Sequence, residues 1–241
     1  MSAVEPGNAF LSLGTSGVYF VVNPTFLPSP DQGAHAFCHC IPNTWHQMGV
    51  ILSSSSCLSW IAGVTQQKES ELIDKLESRP FEPGNLSFLP YLSGERTPHN
   101  NPNAQGVFLG LKHEHGSLEI TQAVLEGVAY AFGDCQKVLL EAGAEIGEVS
   151  LIGGGSRSRL WGQILASVLN RPLNRHEGSE LGPAQGAARL AMLAAGQGSL
   201  EQICTRPKIS EVLEPQPSLV MHYQEKQEQY RKIYRSLENF F

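Results

Sequence analysis

Two glycine-bordered turns carry the residue types suited to holding a phosphorylated ligand. Gly153-Gly154-Gly155-Ser156 joins a short apolar run, Val149 to Ile152, to a helical stretch. Three glycines there remove every Cβ, so a flat or charged group can approach the backbone. The helix N-terminus behind them offers N–H groups and a partial positive charge. A tight turn that needs positive φ is the plainer reading of the same run. The second turn, Gly14-Thr15-Ser16-Gly17, lies between two apolar segments and offers backbone donors and two hydroxyls. Such donors suit phosphate oxygens without adding bulk, although an isolated turn of this kind is more often a plain hairpin. Ser53 to Ser56 either cap the helix that follows them or face a ligand. Glu95, Arg96 and His99 are acid–base residue types, but proline- and asparagine-rich loops usually spend such side chains on their own turns.

Two familiar nucleotide motifs fit these turns poorly. The dinucleotide fingerprint Gly-x-Gly-x-x-Gly is matched only in part, because Ser158 stands at its last glycine, even though Glu177 sits at a tolerable distance for a ribose-binding acid. A P-loop is excluded, since no Gly-Lys pair occurs. His35, Cys38, His39 and Cys40 look like a metal cluster, but a strand turns Cys38 and Cys40 to one face and His39 to the other. Ordinary packing is the better reading.

The elements that must position these residues follow from apolar periodicity. Ala9 to Val22 reads as two strands around the Gly14–Gly17 turn, and Trp45 to Val50 as a strand leading into a helix through Leu58, Trp60 and Ile61. Glu69 to Leu76 is a short amphipathic helix, and Leu86 to Leu92 and Gly106 to Leu111 are short strands. Ser117 is placed as the N-cap of the longest helix, with Ile120, Val124, Val128, Phe132, Cys135 and Leu139 on its inner face and Gly143 at its end. Leu160, Trp161, Ile164, Leu165 and Val168 mark the helix after the glycine turn, which Pro172 stops. In the segment from Glu180, the small residues Gly182, Gly186, Ala187 and Ala191 predict a helix face against which another backbone lies close. Tyr223, Gln227, Tyr230, Tyr234, Leu237 and Phe241 form one stripe of a last helix. That stripe is either a homodimer seam or, more often for a short one, a surface docked on its own domain. Hairpin, strands and long helices together read as α/β with a mixed sheet.

Composition narrows the class. The chain has 241 residues, 41% hydrophobic and 17% charged, enough to bury roughly 70–75% of its unfolded surface. A net charge of −6 argues against nucleic acid, whose phosphates call for a basic stripe. No apolar run approaches the roughly 18 residues of a membrane span, and the apolar N-terminal stretch lacks a basic leader. Five cysteines without Cys-x-x-Cys spacing fit a reducing cytoplasm.

Taken in order, these segments resemble the C-terminal half of the xylulokinases, in the FGGY family of carbohydrate kinases. The stretches that carry the resemblance are Leu11 to Phe20, Phe88 to Pro102, Gly106 to Leu111, Ala123 to Tyr130, Leu151 to Trp161 and Gly182 to Ala191. It covers nearly the whole chain, and the ordered set is far more specific than any one motif. The resemblance implies a ribonuclease-H-like domain of the actin and Hsp70 class, with a mixed sheet flanked by helices. It implies ATP or ADP with Mg²⁺ as nucleotide and cofactor, and D-xylulose as the sugar of the complete enzyme. Gly14, Thr15 and Ser16 then approach the phosphates, and Gly153, Gly154, Gly155 and Ser156 the adenosine. Ser55 and Ser59 take positions where the related glycerol kinases, with glycine and glutamine, contact nucleotide, and Arg159 stands where they carry an asparagine near the adenine. The helix after Gly182 is implied as the domain hinge. No catalytic residue is expected within residues 1–241. The family's general base is an aspartate in a Gly-Gly-Gly-Asp-Asn segment, expected upstream of Met1 in an N-terminal sugar-binding domain, and no Mg²⁺ ligand is assigned.

Overall fold

Alternation of period two builds the sheet. In β1 (Ala9–Leu13), Ala9, Leu11 and Leu13 are buried while Phe10 and Ser12 are only partly so. β2 (Gly17–Asn23) pairs antiparallel with β1, Leu13 opposite Gly17, so the chain reverses within Gly14-Thr15-Ser16. β4 (Trp45–Ile51) pairs antiparallel with β2, and β3 (His35–Cys38) with β4. β7 (Val149–Ile152) joins β1 in parallel, β8 (Leu173–His176) joins β7 in parallel, and β9 (Ile209–Leu213) closes the edge antiparallel to β8. Among the residues that this computed structural model describes, 3–178 and 182–241, the main sheet runs β3-β4-β2-β1-β7-β8-β9. A separate ribbon pairs β5 (Ser87–Leu89) with β6 (Val107–Leu109).

One face of the sheet carries the core. α3 (Ser117–Glu141) packs there, close enough that a Cβ on Gly49 of β4 would stand 2.6 Å from that of Cys135, and one on Gly17 of β2 2.5 Å from the Phe132 ring. α4 (Arg159–Leu169) lies beside it, where Gly162 meets Leu213 and Leu151, and its Trp161 indole donates to the Leu125 carbonyl at 3.1 Å. α1 (Ser55–Thr65) and α2 (Glu69–Glu77) extend this layer along α3. α3 begins one residue past its cap. Gly116 occupies the cap, and the Glu119 carboxylate accepts its N–H at 3.0 Å, so Ser117 is the first helical residue and not the N-cap.

Of two expectations about surfaces, the structure bears out the favoured one and departs from the other. α7 (Pro217–Leu237) spends the tyrosine stripe inside the chain. Tyr223 donates to Glu126 at 3.2 Å, Gln227 to the Tyr130 carbonyl at 2.9 Å, and Tyr230 shares a 2.7 Å hydroxyl contact with Tyr91. The stripe is therefore docked on its own domain, the reading favoured for a short one. α5 (Gly182–Ala194) and the short α6 (Leu200–Ile203) lie on the other side of the sheet, where Leu190 and Gly186 border a cavity with Phe10 and Phe20. At its described positions, the small face of α5 is not pressed on a backbone. A Cβ on Gly186 meets nothing within 4 Å, and Ala187 and Ala191 are exposed. Glu180 and Leu181 lie outside the described residues.

Candidate functional site

The site is assembled around Leu13, the last residue of β1. Beyond it the Gly14-Thr15-Ser16 turn stands clear of the sheet, with Thr15 and Ser16 exposed. The turn is held from the side. The N–H groups of Ser54 and Ser55 donate to the carbonyls of Thr15 and Gly14 at 3.0 and 2.9 Å, and the Ser55 hydroxyl donates to the Leu13 carbonyl at 3.0 Å. No serine side chain caps α1, contrary to the cap reading; the hairpin carbonyls take that place. The first N–H groups of α1 are occupied by backbone oxygens of that turn. Ser59 lies four residues past Ser55 on the same helix and is exposed.

The glycine turn meets the hairpin at the same point. Gly153 has φ +89°, and a Cβ on it would fall 2.6 Å from the Leu13 carbonyl oxygen. A Cβ on Gly155 would stand 2.9 Å from the Ser55 hydroxyl and 3.0 Å from both Leu13 and the Trp161 ring. Packing therefore demands glycine at both positions. Gly154 differs: its φ is not positive, a Cβ there would meet nothing within 4 Å, and the residue is exposed. Its backbone lies bare at the surface.

The turn enters a short 3-10 segment, Gly154–Arg157, before α4 begins. Ser156 is buried, and its hydroxyl donates to the Gly153 carbonyl at 2.7 Å, closing the turn on itself. The N-terminus of α4 is not free. Ser158 caps it by accepting from the Trp161 N–H at 3.1 Å, while Glu77 of α2 accepts from the Leu160 N–H and from the Ser158 hydroxyl, both at 3.0 Å. A side-chain carboxylate already occupies the place where the sequence puts an open anion site. Arg159 is likewise engaged: its Nε lies 2.7 Å from Glu211, which Arg175 also holds at 2.7 Å. Burial opposes ionisation of Glu211, but the two guanidinium groups outweigh it and hold the carboxyl below its usual range.

The structure thus brings together Gly14, Thr15, Ser16, Ser55, Gly153, Gly154 and Gly155, with Ser156 as an internal brace. Ser59 stands free one turn along α1, and Arg159 is tied to β9. Among the described residues, no three His, Cys, Asp or Glu side chains gather as a metal site, and this includes the His35–Cys40 segment.

Sequence reasoning assigned Glu95 to its own turn, and the structure gives it a longer reach. It is 1% exposed, and one carboxyl oxygen accepts the N–H of Leu52 at 3.1 Å and of Arg96 at 2.6 Å, while the other has no partner. Burial pushes its pKa up to about 8, against the lowering effect of those N–H groups and with a further push from Asp134. The signal available was an acid directly after a left-handed glycine, Gly94, in a loop otherwise made of turn formers.

Comparison with known proteins shows the family and the fold. Residues 9–195 match the C-terminal domain of the FGGY family of carbohydrate kinases. The chain is 44% identical over 236 residues to the xylulose kinase of Escherichia coli strain K12, covering 97% of this chain and 49% of that protein. It superposes on the crystal structure of a xyloylose kinase from Brucella ovis with a TM-score of 0.95 and 44% identity, over 100% of this chain and 51% of the other. The xylulose kinase of Rhodospirillum rubrum gives 0.85 at 28% identity, over 99% and 49%. The chain spans about half the length of the relatives it matches. The mixed sheet and its helices are the ribonuclease-H-like fold of the actin and Hsp70 class. With its matched residues falling in that C-terminal domain, this chain belongs to the FGGY family of carbohydrate kinases.

Proposed function

We propose that this chain is the nucleotide-binding half of a pentulose kinase, which transfers the γ-phosphoryl group of MgATP to D-xylulose and yields D-xylulose 5-phosphate. The observation that carries the reading is the meeting of two separate turns at Leu13, where Gly153 and Gly155 are fixed by packing while Gly154 is left bare. Neither neighbour contact nor dihedral angle requires glycine at position 154, and its bare backbone leaves room for a ligand to lie on it. In this reading Gly14, Thr15 and Ser16 face the phosphates, and Gly153 to Ser156 face the adenosine. Ser55 acts through the hairpin it holds, and Ser59 lies beside the same surface. Arg159, held by Glu211, orders the edge of the turn and does not reach for the base.

Phosphoryl transfer depends on positioning and on neutralising charge as the phosphoryl group moves. The bound Mg²⁺ would supply part of that neutralisation, and no ligand for it is assigned within this chain. The hydroxyl proton of the sugar would go to an aspartate in the other half of the enzyme, and residues 1–241 would supply one wall of the cleft. A non-catalytic nucleotide-binding module of the same fold is the second reading, because it needs only the turns described.

Calorimetric titration with MgADP tests the site. Weak binding, with Kd above the micromolar range, is expected of one wall. Thr15 is exposed and no side-chain bond ties it to the fold, so Thr15→Ala should leave Tm unchanged. A hydrogen bond to a charged group is worth about 1.5–3 kcal/mol, so the same change should weaken MgADP binding by one to two orders of magnitude. Wild-type affinity in Thr15→Ala would make the turn a plain hairpin.

A further inference from the structure

We infer that Glu95 is the positioning residue of the phosphate-facing hairpin, acting through Leu52 from the β3 side of β4. The inference rests on the nucleotide reading of Gly14-Thr15-Ser16 given above. The strand geometry creates the need. β3 pairs with β4 only as far as His35 opposite Met48, so beyond Met48 that side of β4 has no strand, although β2 still pairs on the other side as far as Ile51. Leu52, the residue after β4, points its N–H to that β3 side, where no strand receives it. Glu95 supplies the acceptor at 3.1 Å. One step back, Thr97 does the same for Val50, accepting its N–H at 2.9 Å and donating its own N–H to the Val50 carbonyl at 3.0 Å. The polar loop continues the sheet where β3 leaves it, and the Thr97 hydroxyl also donates to the Gly33 carbonyl, just before β3, at 3.0 Å.

The residues after Leu52 turn this contact into a positioning device. The N–H groups of Ser54 and Ser55, two and three residues on, hold the Thr15 and Gly14 carbonyls. The path from the Glu95 carboxyl to the hairpin is therefore three backbone residues and two hydrogen bonds. The loop is anchored at its other side, since the Glu95 N–H donates to the Asn101 carbonyl and receives the Asn101 N–H on its own carbonyl, both at 2.9 Å. A buried acceptor held at both ends cannot move without carrying the β4–α1 junction with it.

The second carboxyl oxygen explains why the residue is neutral. It is buried and unpartnered, so an ionised Glu95 would leave charge with no donor. The groups around it add no compensating cation. Asp134 of α3 is acidic, Cys57 of α1, Cys135 of α3, Tyr91 and Tyr230 are neutral, and Arg231 is engaged by Asp134 at 2.6 Å. As pH rises through about 8 the carboxyl ionises, its free oxygen must find water, and the brace loosens.

The test uses the 241-residue chain, MgADP as probe and amide hydrogen exchange as a separate readout. In Glu95→Ala, the Leu52–Ser55 amides should lose protection and MgADP binding should weaken about ten- to a hundredfold, the value of one buried acceptor. Glu95→Gln keeps the accepting oxygen and should restore both. Wild-type affinity should fall between pH 7 and 9, and Glu95→Gln should not. A folded Glu95→Ala with wild-type protection and affinity would overturn the inference. If Glu95→Ala fails to fold, equal pH dependence in wild type and Glu95→Gln would overturn it. No MgADP binding by the wild-type chain strikes the nucleotide reading itself and the role drawn from it. Lost protection in Glu95→Ala would then support the mechanical brace alone.

Discussion

At the scale of single residues, the three glycines of one turn separate into two classes that the run of letters conceals. Gly153 combines φ +89° with a backbone oxygen where its Cβ would be, so Gly153→Ala strains the chain and displaces Leu13. We expect a loss of about 2–4 kcal/mol, seen as a lower midpoint in urea unfolding. Gly154 has open space around it, and Gly154→Val should change stability by no more than about 0.5 kcal/mol while weakening MgADP binding. A valine at 154 that left binding intact would remove adenosine from this turn. Glu95 gives a second residue-scale expectation, in stability. In the unfolded chain its carboxyl ionises near 4.5, and in the fold near 8. The folded pKa is the higher one, so this residue's contribution is complete below about 4.5 and is lost as pH rises toward about 8. Glu95→Gln has no such loss. Its stability relative to wild type should therefore grow across that interval, and parallel denaturation curves from pH 5 to 8 would contradict the buried neutral acid.

Elements decide which backbone donors remain for a ligand. α4 follows the glycine turn, yet its first donors are held by Ser158 and by Glu77 from α2. Glu77→Ala should therefore loosen α4 by about 1 kcal/mol without strengthening or weakening nucleotide binding. A marked change in MgADP affinity would mean that this helix end belongs to the site after all. Legibility in the sequence differs from element to element, for physical reasons. β1, β2, β4, β7, α3 and α4 follow from period two or period 3.6 in their apolar residues, and the two turns from glycine between apolar runs. Glu77 precedes Leu160 by 83 positions, and no local pattern relates them. β8 and β9 escape for another reason. Leu173-Asn-Arg-His and Ile209-Ser-Glu-Val-Leu lack clear apolar alternation, and they are strands because β7 offers an edge to one and that one to the other. The small face of α5 was legible as small, but smallness says that something can come close and not which partner does so.

At the scale of the whole molecule, the candidate site is an open surface. Thr15, Ser16, Ser59 and Gly154 all face solvent, and the exposed side chains of α5 include Leu190 at 44% and Met192 at 41%. Relatives of about twice this length carry a further half that could cover such surfaces. The 241-residue chain alone is therefore expected not to phosphorylate D-xylulose at a measurable rate. Two contributions would be absent. A positioned proton acceptor supplies roughly 10²–10⁴-fold. Holding sugar and nucleotide in reacting geometry supplies as much as about 7–11 kcal/mol, and in the proposed reading a single wall would hold only one of the two reactants. Positioning is the greater loss of the two, so placing an aspartate on this chain should not create turnover. Mixing it with a separately produced N-terminal half of a xylulose kinase should restore some, because cleft and acceptor return together. The measurement is a coupled assay of ADP release with D-xylulose present and absent. Sugar-dependent release by the purified chain alone would show that residues 1–241 carry their own acceptor, and the half-enzyme reading would fall.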